Sequence, residues 1–82
     1  MNLNQLIILE QDKHPNKLIG DEIALQVIED GKEIYFEDCM MAEGEYDFYD
    51  LINVKVKSHR YERNYGDLEG KLKLVVEVEE WK

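Results

Sequence analysis

Residues Glu22–Glu37 read EIALQVIEDGKEIYFE, and the fold turns on them. Ile23, Leu25 and Val27 recur at every second position, which sets three apolar side chains on one face of an extended strand. Asp30 and Gly31 then interrupt the pattern. That dipeptide accepts the positive φ values of a two-residue turn, so it predicts a β-hairpin. In the returning run, Ile34 and Phe36 fall on one side and Tyr35 on the other.

The same pattern recurs further along. Ile52–Ser58 (INVKVKS) alternates Ile52, Val54 and Val56 against Lys55 and Lys57. Lys71–Glu79 (KLKLVVEVE) alternates Leu72, Leu74, Val76 and Val78 against mostly charged neighbours. One apolar and one charged face suit an antiparallel sheet with one side in water. The intervening HRYERNYGDLEG is long for a hairpin loop, so the strands are expected to begin inside it.

Toward the N-terminus, Asn4–Glu10 (NQLIILE) fits either a buried strand or a helical turn with Leu3, Leu6 and Ile7 inward; periodicity does not separate the two. Gln11–Gly20 carries the only proline, Pro15, and reads as a loop. Asp38–Asp50 reads as extended or turn-rich. A short helix within Glu45–Asn53 is the alternative, and Gly44 weakens it by ~1 kcal/mol relative to alanine. The expected fold is mainly β, with α+β as the alternative. It is a small twisted antiparallel sheet or partly open barrel of about five strands in two hairpins, preceded by a strand or short helix, in a single domain. Trp81 is expected to pack against a sheet end.

A chain of 82 residues buries only about 60–65% of its unfolded surface, so the core is thin and stability is on the order of 5 kcal/mol. The apolar fraction of 44% is ordinary for a folded protein, so a folded domain is expected rather than disorder. Cys39 is the only cysteine, so no disulfide framework is expected, and a reducing cytoplasm fits. The first residues lack the basic region of a signal peptide, and no apolar run approaches the ~20 residues that span a membrane.

Charge is the strongest functional signal. Nineteen acids against ten Lys and Arg give −9. Residues 1–50 hold 13 acids and 3 bases, a net of −10, whereas residues 51–82 hold 6 acids and 7 bases, a net of +1. Such a surface repels nucleic acid and anionic membrane and attracts basic partners. The plainer reading of the same charge is solubility.

Within the acidic part, Met41–Asp50 reads MAEGEYDFYD. Carboxylate catalysis would need one acid buried so that acid and base roles divide, and nothing in the sequence buries one selectively. Cys39 lies between Glu37, Asp38, Met40 and Met41, a setting that disfavours a thiolate, and reads as a small packed residue. The alternating acids do not match an EF-hand, and one Cys with two distant His does not make a zinc site, so no metal or cofactor is expected. Lys55, Lys57, His59, Arg60 and Arg63, with Tyr61 and Tyr65, form a basic strip that reads as a partner for the protein's own acidic half, within one chain or across a homodimer, rather than as a nucleic-acid site.

Protein recognition is the reading that uses both the acids and the rings. Side chains two residues apart on a strand lie ~6.6 Å apart, so Glu43, Glu45 and Asp47 would form an anionic row, as duplex DNA does. Tyr46, Phe48 and Tyr49 would supply aromatic anchors, with Asp50 at the end of the segment. Glu33, Tyr35, Glu37 and Asp38 extend the same character. The expected function is a non-enzymatic module that docks this surface onto a basic protein such as a nucleic-acid-binding enzyme, by an analogy of size and charge with small acidic phage and mobile-element inhibitors that imitate DNA. The alternative is an assembly protein in which the basic strip meets the acidic half of a second copy.

Overall fold

A computed structural model describes residues 1–39, 41–63 and 71–80. In chain order these form α1 (Leu3–Lys13), β1 (Ala24–Glu29), β2 (Lys32–Asp38), β3 (Met41–Gly44), α2 (Phe48–Leu51), β4 (Val56–Arg63) and β5 (Leu72–Val78). The strands make one open sheet in the order β3-β2-β1-β5-β4.

β1 and β2 pair antiparallel around the turn, with Glu29 opposite Lys32. Asp30 and Gly31 both take positive φ, 51° and 79°, the combination a type I′ turn needs. β4 and β5 also pair antiparallel. The joint between the two pairs is parallel: Leu25 lies beside Leu74 and Val27 beside Val76. The sheet is therefore mixed, not wholly antiparallel, and open, not a partly closed barrel. Alternation within single strands carries no information about which strands become neighbours, so the parallel joint was invisible to the periodicity.

The helix wins at the N-terminus because its end is capped. Asn2 Oδ1 accepts from the Gln5 N–H at 2.8 Å, and Gln5 Oε1 accepts from the Asn2 N–H at 2.9 Å. This reciprocal box satisfies two of the N–H groups a helix start leaves unpaired. Leu3 and Leu6 point inward, as expected, and Glu10 follows them into the interior. Residues 1–3 also hold the start of β4: Leu3 N–H donates to the Val54 carbonyl and Val56 N–H to the Met1 carbonyl.

The core joins Leu3 and Leu6 of α1, Leu51 of α2 and Val54 to Leu25, Val27, Ile34, Tyr35, Leu74, Val76 and Val78 of the sheet. Burying each Val or Leu side chain is worth ~1.5–3 kcal/mol. Tyr35 corrects the alternation. A register shift between Val27 and Ile28 lets Ile34 and Tyr35 both turn inward, while Phe36 takes the opposite face. On that face one residue from each strand forms a row: Glu43, Phe36, Gln26, Val75 and Arg60. Two further expectations differ. β4 starts at Val56, not Ile52, although it runs to Arg63, into the long connection, as expected. Cys39 is exposed, with Lys71 Nζ 3.4 Å from its sulfur, not packed as a small core residue. The expectations for Tyr65 and Trp81 lie outside the described residues.

Candidate functional site

The segment after β2 is short strand, turn and short helix. Asp38 Oδ1 accepts from the Met41 N–H at 3.1 Å and so stabilises the turn into β3. β3 is one of the sheet's two edge strands, and all four of its residues are exposed. It stops at Gly44, which presses on β2: a Cβ there would lie 2.3 Å from the Ile34 carbonyl oxygen and 2.7 Å from Tyr35 Cα. Only glycine permits that approach. The chain then turns, Glu45 N–H donates to the Ile34 carbonyl at 3.0 Å, and α2 begins at Phe48.

This geometry breaks the anionic row. Glu43 is on β3, opposite Phe36, and so on the face away from the main core. Glu45 lies beyond the strand and pairs with Lys32 across the sheet edge; its carboxylate holds the Lys32 ammonium above its ordinary value. Asp47 stands at the N-cap of α2. The three acids are therefore not evenly spaced on one strand face. Glu33 accepts from Gln26 Nε2 at 2.9 Å on the outer face, and Glu37 accepts from the Tyr35 hydroxyl at 2.5 Å on the core side. Burial, reinforced by that bond to Glu37, pushes the Tyr35 hydroxyl up.

The structure does gather the rings. Tyr35, Tyr46, Phe48 and Tyr49 line a groove of about 470 Å³ beside the β3 edge, with Glu43 and Asp47 at its margin. The Tyr35 and Phe48 centroids are 5.9 Å apart at 47°, and those of Phe48 and Tyr49 are 6.3 Å apart at 71°. Tyr35 is buried and Tyr46 and Phe48 half-buried, so they are held in place, whereas Tyr49 is 83% exposed. Asp47 makes no side-chain capping bond to α2. Asp50 lies apart, in a neighbouring groove with Asn53, Lys55, Glu79 and Glu80. Six of the eleven expected residues thus share one groove. Glu33, Glu37, Asp38, Glu45 and Asp50 do not line it.

Two acidic features escaped the sequence reading. The parallel joint ends β1 and β5 side by side, so Glu29 and Asp30 meet Glu80 around Lys57; acids from both halves of the chain converge there. The second is Glu10, the one buried charged residue among those described. Tyr61 donates to it at 2.8 Å, Lys13 Nζ is 2.9 Å away and His59 Nε2 3.9 Å. An acid inside an apolar helical run was the only sequence hint of it. On the basic strip, Arg60 is engaged by Glu62 and Glu77.

Among the described residues no helix is long and apolar enough to cross a membrane, and no cluster of three His, Cys, Asp or Glu is placed to hold a metal. No protein-family model, curated protein or solved structure matches the chain.

Proposed function

We propose that the protein is a non-enzymatic binding module that docks its acidic-aromatic edge onto a basic protein, and that a nucleic-acid-binding enzyme inhibited by this contact is the partner type it suits best. The observation that carries the reading is the groove itself. Four aromatic side chains sit beside an exposed edge strand with Glu43 and Asp47 at the rim. Aromatic anchors dominate interface energies, and surrounding charge sets encounter rate and partner choice. The rim carboxylates are exposed, which suits recognition better than acid–base work, where one acid must be withdrawn from water. The broken row removes a regular imitation of a phosphate backbone; what supports docking is a compact aromatic focus within a net charge of −9.

Homo-oligomerisation through the basic strip has less support. Arg60 is already engaged by Glu62 and Glu77 of its own chain, and His59 stands near Glu10. A pull-down from cell lysate at low and high salt, run in parallel with the Tyr49→Ala protein, tests the proposal. The expected result is a basic protein that is released by salt and poorly retained by the variant. Equal retention in all conditions overturns it.

A further inference from the structure

We infer that the groove beside β3 receives an arginine side chain of the partner, seated against the rings of Tyr46, Phe48 and Tyr49 with its guanidinium paired to Asp47. The inference rests on the docking proposal and names the chemistry that docking would use.

Three observations converge on it. First, the ring planes differ. Tyr35 and Phe48 are inclined at 47° and Phe48 and Tyr49 at 71°, so the rings are not stacked in parallel, and Tyr49, 83% exposed, leaves a ring face accessible. A cation over such a face is attracted by the ring quadrupole. Second, the carboxylate is available. Asp47 occupies a helix N-cap position, where aspartate ordinarily accepts a backbone N–H, yet its side chain makes no such bond. It acts on the Tyr35 hydroxyl only through its charge. Third, Lys32, which lies near the Tyr46 hydroxyl, is paired with Glu45. Among the described residues no ion pair engages Asp47 or Glu43.

Arginine fits these conditions better than lysine. Its guanidinium is planar and weakly hydrated, so it can lie on a ring and still direct N–H groups in its own plane at a carboxylate. An ammonium is compact and strongly hydrated and loses more on entering a groove walled by rings. Tyr49, largely free, forms the outer wall. Glu43, directed to the other face by its register with Phe36, adds potential at the edge and not a direct pair.

The test uses the full chain and three capped tripeptides, Gly-X-Gly, in which X is arginine, lysine or citrulline, the last being the neutral isostere of arginine. Ring resonances of Tyr46, Phe48 and Tyr49 are followed by NMR at constant ionic strength. The arginine peptide is expected to shift them in a saturable way, with binding about tenfold tighter than for citrulline and measurably tighter than for lysine. Asp47→Asn should weaken the arginine response and leave only the smaller preference over citrulline that the rings supply. Tyr49→Ala, at an exposed position, should weaken it without unfolding the protein. Absence of ring shifts, or equal responses to arginine and citrulline or to arginine and lysine, overturns the assignment. A basic partner that is captured in a salt-sensitive manner while the arginine peptide leaves the rings unmoved would keep the docking proposal and remove this one.

Discussion

Tyr61 donates a hydrogen bond to Glu10 at 2.8 Å, joining edge strand β4 to a carboxylate that is 3% exposed under helix α1. Burial pushes the Glu10 carboxyl up, but hydrogen bonds from Lys13 and Tyr61, with His59 beyond, more than offset this and hold it below the ordinary 4.5. Because the folded value is the lower one, the unfolded chain takes up the proton first on acidification. The carboxylate's contribution is complete above 4.5 and is lost as pH falls through the folded value. Tyr61→Phe removes one donor from a buried charge and should cost about 1–3 kcal/mol near neutral pH. Urea denaturation should show the gap between wild type and variant narrowing below pH 4.5. A gap that stays constant with pH would mean the bond does not act through Glu10.

Gly44 and Gly31 separate close approach from backbone preference. Both have positive φ, but a Cβ at Gly31 meets nothing within 4 Å, whereas one at Gly44 collides with backbone atoms of Ile34 and Tyr35. Gly31→Ala should cost about 1–2 kcal/mol. Gly44→Ala should cost about 3 kcal/mol or shift β3 away from β2. Equal denaturation midpoints would show that β3 does not press on β2 as described.

Leu74 tests the parallel joint. It lies fully buried between Leu25 and Tyr61 in the register. Leu74→Ala should cost about 2–5 kcal/mol, most of the stability of a domain this size. Arg60→Ala on the neighbouring strand breaks only exposed ion pairs and should leave stability close to that of wild type. Thermal unfolding of the two variants distinguishes these costs.

Lys32 is the one base on β2 and is exposed against Glu45. Lys32→Ala should leave stability close to that of wild type. It also frees a carboxylate near the groove, so association with a basic partner should quicken at low salt. An unchanged rate would place the encounter surface elsewhere.

The strands were legible in the sequence wherever water contacts one face only. Ile23, Leu25 and Val27 alternate, and Asp30-Gly31 marks its turn. What stayed hidden depends on distant partners. The parallel pairing of β1 with β5 is a choice among neighbours that no local pattern records. Tyr35 turned inward because of a register shift, which exchanges faces. The aromatic-acidic stretch was recognised as a unit, but its even spacing was not real: Gly44 ends the strand two residues before the rings begin. Glu10 was missed because a carboxylate reads as surface unless its donors are known, and two of its neighbours, Tyr61 and His59, lie about fifty residues away.

If the rings and exposed acids beside β3 form a docking surface for a basic protein, salt and two substitutions should alter its binding kinetics in distinct ways. The most direct test of that surface is the association and dissociation of the salt-released partner, measured across ionic strength with wild type, Asp47→Lys and Tyr49→Ala. The association rate is expected to fall as salt rises and to be several-fold lower for Asp47→Lys, and dissociation to be faster for Tyr49→Ala. Rates indifferent to salt and unchanged by both substitutions would contradict such a docking surface.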